Sequence, residues 1–126
     1  MSSGRPLRVL VVDDSAFMRS RILRDLANAG LEVAGEARNG LEAVERYEML
    51  RPDLVTMDLT MREHDGIEGS RAILALEPKA KIVLFSIVDD EAVIGEALRL
   101  GVRAYVHKGQ PAELVRRLLE LGTKES

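Results

Sequence analysis

Five side chains able to do chemistry sit at the ends of short apolar runs. Asp13 and Asp14 follow "RVLVV", Asp58 follows "DLVTM", Ser86 closes "KIVLFS", and Lys108 follows "AYVH". Neighbouring carboxylates raise one another's pKa, so Asp13, Asp14 and Asp58 brought together call for a cation. With oxygen donors and no cysteine in the chain, the ion that fits best is Mg²⁺, which takes a few protein oxygens and keeps several waters. A lysine beside such a carboxylate adds positive charge without occupying a coordination position. A metal, an ammonium and a hydroxyl around one carboxylate form a site for a phosphoryl group, whose transfer is helped mainly by positioning and charge neutralisation. Asp58 is then the nucleophile and the product an acyl phosphate.

Singly, each residue has an ordinary reading. An Asp-Asp pair after a strand is often a turn, although Ser15 is the better N-cap for the next helix and leaves both acids free. A lone Asp58 reads as a turn residue, a lone Lys108 as a solvated surface group, and a lone Ser86 as a satisfied strand end. Their joint placement is what carries weight, and it depends on the elements that deliver them.

Those elements alternate along the chain. "LRVLVV" is a strand, followed by a helix over "MRSRILRDLANAG" with Met18, Ile22 and Leu26 on one stripe, Leu23 and Ala27 beside it, and Gly30 as its stop. "LEVAGEA" is a more polar strand, predicted near a sheet edge, and "GLEAVERYEML" a helix closed by Pro52. "DLVTMD" and "IEGSRAILAL" form the third strand and helix, and "KIVLFS" and "DEAVIGEALRLG" the fourth, with Val93, Ile94, Ala97 and Leu98 inward and Gly101 as the stop. "AYVH" and "PAELVRRLLEL" complete the fifth, with Pro111 suited to a first helical turn. Apolar strands alternating with helices predict an α/β fold: a five-stranded parallel sheet, doubly wound with helices on both faces. Ligands of such sheets bind beyond the carboxyl ends of the strands, at the switch point in strand order, and all five side chains lie at those ends.

Composition bounds the rest. At 126 residues the chain is long enough for one cored domain, read as spanning 1–126, and too short for two. Aromatics make up 3%, so aliphatic side chains must build the core. A net charge of −3 argues against nucleic acid as the main partner. No apolar run approaches the roughly 18 residues of a membrane span, and "MSSGRP" lacks a signal peptide's apolar stretch. A cytoplasmic monomer is the expectation.

From Leu7 to Leu121 the chain resembles the receiver domain of two-component response regulators, most closely the single-domain chemotaxis regulators of the CheY type. The segments that carry the likeness are "VLVVDDSAFMR", "PDLVTMDLTMREHDGIEG", "KIVLFS" and "GVRAYVHK", in this order and spacing. The resemblance implies Asp58 as phosphoacceptor, Asp14 as a direct Mg²⁺ ligand, Asp13 acting largely through water, and the Thr60 backbone carbonyl as a third protein ligand. It implies that Lys108 contacts phosphoryl oxygens, and that Ser86 and Tyr105 are the switch hydroxyl and the switch aromatic. Thr60 and Val88 match positions that tune acyl-phosphate hydrolysis in the family. The implied partners are a histidine kinase and a phosphorylation-dependent target, such as a flagellar motor switch, bound on the face of helix four, strand five and helix five. The chain departs from the family at Arg62 and Gly109, where proline is usual, and at Ile87, where a small residue is usual and a bulky one is expected to crowd the movement of Ser86 and Tyr105. A trans Lys108–Gly109 bond with an unusual glycine φ is expected in place of the family's cis proline bond.

Other functions fit less well. An aspartyl phosphatase usually places a second acid two residues after its nucleophile, where this chain has Thr60. A receiver-like scaffold that is never phosphorylated would lack an acid or the lysine. A flavin or nucleotide binder of similar fold would show a glycine-rich loop after the first strand. Within the regulator reading, a phosphorelay intermediate or the receiver fragment of a larger regulator is the alternative to motility control. His64 and His107 read as non-functional, with His107 facing away from Lys108.

Overall fold

A computed structural model describes residues 4–61 and 66–123. Its strands are β1 (Arg8–Val12), β2 (Glu32–Ala37), β3 (Leu54–Met57), β4 (Ile82–Ser86) and β5 (Ala104–His107). Its helices are α1 (Ala16–Asn28), α2 (Gly40–Leu50), α3 (Gly66–Leu76), α4 (Glu91–Leu100) and α5 (Pro111–Thr123). The strands form one parallel sheet in the order β2-β1-β3-β4-β5. The polar β2 lies at the edge, as its composition predicts, and the order reverses at β1.

Strand alternation feeds two cores. Val9 and Val11 of β1, with Val83 and Phe85 of β4, face α1 and α5 and pack on Ile22, Leu26, Leu114 and Leu118. Leu10, Val12, Ile82 and Leu84 face the other way, with Ala43, Tyr47, Ile73 and Ala97 from α2, α3 and α4. Leu10, Leu84 and Leu118 are wholly buried, and each such side chain contributes about 1.5–3 kcal/mol relative to exposure.

The helix ends follow capping chemistry. Ser15 Oγ accepts from Met18 N at 3.1 Å, Asn39 Oδ1 from Glu42 N at 2.8 Å, and Asp90 Oδ1 from Ala92 N at 2.8 Å. Glu42 completes the α2 start by accepting from Arg38 N at 2.9 Å. Gly30 and Gly101 take φ of +81° and +121° after α1 and α4, in the left-handed half of the map that favours glycine. Arg51 does the same at φ 46° before Pro52.

Ala27, read as lying beside the α1 stripe, is exposed, because α1 buries only Ile22 and Leu26. One inward assignment is corrected. Leu98 is 46% exposed. On α4 Ala97 is the buried residue, with Val93 and Leu100 packed beside it on the core, so Leu98 falls just outside the covered face. Among the described residues, no helix is long and apolar enough to cross a membrane.

Candidate functional site

The carboxyl ends of the strands converge as expected. Asp13 follows β1 directly, and its N–H donates to Ala37 O at the end of β2 (3.0 Å). Asp58 follows β3, and its N–H donates to Val12 O at the end of β1 (3.0 Å). These two bonds extend the ladder by one residue and set the acids side by side. Carboxylate oxygens of Asp13, Asp14 and Asp58 lie within 4.8 Å of one another. Asp13 and Asp58 are 1% and 2% exposed, whereas Asp14 is exposed.

Lys108, one residue past β5, reaches back to this cluster. Its Nζ stands 2.8 Å from Asp13 Oδ2 and 3.3 Å from Asp58 Oδ2. Asp13 Oδ1 accepts from Ser15 N at 2.9 Å, so Asp13 is not the free acid that a Ser15 cap alone implies. Asp58 Oδ1 accepts from Thr60 N and Thr60 Oγ1, both at 3.2 Å. Asp14 has no hydrogen-bond or ion-pair partner among the described residues.

Burial pushes the Asp13 carboxyl above its usual range, and the negative charge of Asp58 adds to this; Lys108 and the Ser15 N–H only partly offset it. For Lys108, burial pulls the ammonium down, but Asp13 and Asp58 more than compensate and its pKa is raised. One lysine thus serves two buried acids. Asp13 Oδ2 is buried and answered by the charge of Lys108 without hydrogen-bond geometry. An all-oxygen donor set that includes a buried carboxylate oxygen accepting no hydrogen bond suits a hard divalent cation.

Ser86 and Tyr105 meet on the segment that leads from β4 to α4. The Ser86 hydroxyl, wholly buried, accepts from Val88 N at 3.3 Å, which leaves its own hydrogen free to donate. Tyr105 Oη lies 3.2 Å from Ser86 O and donates to Val88 O. Both residues therefore hold the stretch 86–88. Ile87 between them is 63% exposed.

The Lys108–Gly109 bond is trans, as expected, but Gly109 does not use a positive φ. Its N–H, a donor that proline lacks, goes to His107 Nδ1 at 2.9 Å. His107 is exposed, and its ring closes the turn behind Lys108. Sequence reasoning missed that bond, and it missed Arg19, whose Nη1 donates to Asp13 O at 2.6 Å and whose Nε donates to Glu36 Oε1 at 2.8 Å. It also missed the reason for Gly66: a Cβ there would stand 2.1 Å from Asp58 O, so only glycine lets α3 start against the Asp58 loop. Arg62 and His64 lie outside the described residues.

The chain matches the family model for the response regulator receiver domain over residues 9–119. It is 46% identical over 112 residues to the chemotaxis protein CheY of Thermotoga maritima, covering 88% of this chain and 93% of that one. Its fold superposes with a TM-score of 0.86 on the crystal structure of the response regulator domain of Thermotoga maritima CheB, at 34% identity, covering 97% of this chain and all of that one. It superposes with a TM-score of 0.91 on a chain of the CheX–CheY–BeF₃–Mg²⁺ complex from Borrelia burgdorferi, at 28% identity over 97% of this chain and 93% of that one. With a five-stranded parallel sheet in the order 2-1-3-4-5 and an acidic cluster at its carboxyl edge, the chain belongs to the response regulator receiver domains and is a CheY-like member of that family.

Proposed function

We propose that this chain is a phosphorylation switch in which Asp58 accepts a phosphoryl group from the phosphohistidine of a histidine kinase. The observation that carries this reading is the cluster of Asp13, Asp14 and Asp58 with the Lys108 ammonium within 3.3 Å of two of the three acids. An oxygen of Asp58 forms the new O–P bond as the P–N bond of the donor breaks and the departing imidazole takes up a proton. Lys108 is placed to draw phosphoryl oxygens toward Asp58. Thr60, through its N–H and hydroxyl, fixes the carboxylate orientation. Oxygens of Asp13, Asp14 and Asp58, with the Thr60 carbonyl as the family likeness implies, would hold Mg²⁺, which neutralises charge on the phosphoryl oxygens when bound. Water later cleaves the acyl phosphate and restores the carboxylate. The chemistry is confined to this self-limited cycle and acts on no separate substrate.

The new dianion then has a hydroxyl to recruit, since Ser86 has a free hydrogen and sits at the end of the neighbouring strand. Movement of Ser86 loosens the stretch that Tyr105 grips and alters the face of α4, β5 and α5. The partners of this reading are a kinase and a phosphorylation-dependent protein target, and the likeness to chemotaxis CheY proteins favours motility control, with the flagellar motor switch as the target. A receiver segment of a larger regulator is the second reading, favoured by the equally full match to the CheB regulator domain; a phosphorelay intermediate is a variant of it.

Incubation with acetyl phosphate and Mg²⁺, followed by intact-mass measurement, tests the proposal. One added phosphoryl group in the wild type, absent in Asp58→Asn and without Mg²⁺, is the expected result. Equal labelling of Asp58→Asn overturns the assignment.

A further inference from the structure

Two of the three acids are pinned by their own carboxylates, and the third is not. Asp13 is held by Ser15 N and Lys108, and Asp58 by Thr60 and Lys108. The Asp14 carboxylate has no partner among the described residues. Its place relative to the other two is therefore set by its backbone. A peptide unit is planar, so the direction of the Asp13 carbonyl fixes the plane that carries Asp14 N and Cα. That carbonyl is gripped by Arg19 Nη1 at 2.6 Å.

Arg19 stands where stability does not ask for a cation. It is the fourth residue of α1, whose first turn contains no acid, and positive charge near a helix N-terminus is unfavourable. Its side chain is only 14% exposed. It is kept there by Glu36 of β2, whose Oε1 accepts from Nε at 2.8 Å. The guanidinium thus bridges the edge strand and the loop between β1 and α1, with one arm anchored on Glu36 and the other on the peptide that joins the two acids. Two donors in a rigid fork do this; an ammonium presents a single point of charge.

We propose that Arg19, anchored by Glu36, is a positioning residue that presets Asp14 as a Mg²⁺ ligand. The inference rests on the reading of the acidic cluster as a Mg²⁺ site. Arg19 has two effects on a cation, and they oppose each other. Its charge repels Mg²⁺, while its hydrogen bond orients the ligand. Glu36 cancels much of the first and secures the second, so orientation governs.

Mg²⁺ titration of the full chain by calorimetry separates the two. Arg19→Gln removes the charge: a role through charge alone makes binding tighter, whereas positioning makes it weaker, by about tenfold as for other groups that orient a metal ligand. Arg19→Lys keeps the charge and loses the fork. Positioning gives an intermediate weakening, and a role through charge alone gives none, so this variant decides the matter if Arg19→Gln does not fold. In the metal-free protein, the amide resonance of Asp14 is expected to shift or broaden in both variants while those of Asp58 and Thr60 hold still. Unchanged or tighter Mg²⁺ binding in the Gln variant, or unchanged binding in the Lys variant, overturns the positioning role alone. Absence of Mg²⁺ binding by the wild type overturns the metal-site reading and this inference with it.

Discussion

Lys108 Nζ stands closer to Asp13 Oδ2, at 2.8 Å, than to Asp58 Oδ2, at 3.3 Å. The lysine is thus shared, and its shorter contact is to Asp13 rather than to Asp58, the proposed phosphoacceptor. Lys108→Met leaves two buried carboxylates without their common cation. Removing one partner of a buried pair costs up to about 3–5 kcal/mol, and the rim open to water at Asp14 reduces this to about 2 kcal/mol. Urea unfolding is expected to register that loss without metal, and millimolar Mg²⁺ is expected to recover much of it by binding the folded state. Destabilisation that Mg²⁺ leaves untouched would show that the lysine acts through packing instead.

The acids themselves are expected to divide between binding and folding. Asp14 is exposed and unpartnered among the described residues, whereas Asp13 holds Ser15 N and Lys108. Asp14→Ala should weaken Mg²⁺ binding more than Asp13→Ala while shifting the urea midpoint less. Calorimetric titration and unfolding of the same two variants check both halves; equal losses of affinity would reject a direct role for Asp14 and a water-mediated one for Asp13.

The acid limb of stability follows from the sign of the Asp13 shift. Burial holds this carboxyl above its usual range, so the folded state binds the proton more tightly than the unfolded chain does. Stability from this group therefore falls as pH rises from the ordinary value near ~3.9 through the raised folded value. Glu42 does the opposite. Hydrogen bonds from Arg38 hold it at about 2, so its contribution is present above the ordinary carboxylate range and lost as pH falls through 2. The two overlap, and the difference between wild type and Asp13→Asn isolates the first. That difference is expected to grow as pH is raised above ~4, and to shrink when Mg²⁺ neutralises the cluster. A difference that is flat across this range means the Asp13 carboxyl is not raised.

The elements of this fold were legible because each carried its own punctuation. Apolar runs ended in the rim residues, Gly30 and Gly101 marked helix stops, and the polar "EVAGEA" marked the edge strand. The rim acids and Lys108 were legible for the same reason, since strand ends in a parallel sheet share one edge. Part of what stayed hidden depends on contacts between different elements of the chain. Arg19 and Glu36 are 17 residues apart, and the signal was an arginine early in a helix that follows two acids, a place where the helix dipole gives it no welcome. The His107 bond to Gly109 follows from a donor that proline would have removed, a clue present in "HKG". Leu98 misled because helical periodicity fixes a stripe only to within a residue, and α4 is covered on a narrow face around Ala97.

The proposed coupling between the site and its outer face would run through Ser86, Val88 and Tyr105, and it has a distinct energetic signature. Ser86 Oγ accepts from Val88 N, and Tyr105 Oη contacts the carbonyls of Ser86 and Val88. Tyr105→Phe removes the second pair of contacts and is expected to cost about 1 kcal/mol, the net worth of an ordinary hydrogen bond. Ser86→Ala removes the first and also the hydrogen that a phosphoryl group would recruit. Because both side chains act on the same short stretch, the double variant is expected to depart from additivity by at least about 0.5 kcal/mol. Phosphorylation of Asp58 by acetyl phosphate should survive in both single variants, since the hydrogen bonds of both hydroxyls run to the 86–88 backbone and not to the carboxylates. The response should not survive. With beryllofluoride and Mg²⁺ added as a phosphoryl mimic, the Tyr105 ring resonances of the wild type are expected to move as the 86–88 stretch rearranges, and in Ser86→Ala they are expected to move far less. A Tyr105 shift of full size in Ser86→Ala means that the ring responds by a route that bypasses the hydroxyl, and the relay through residues 86–88 is then wrong.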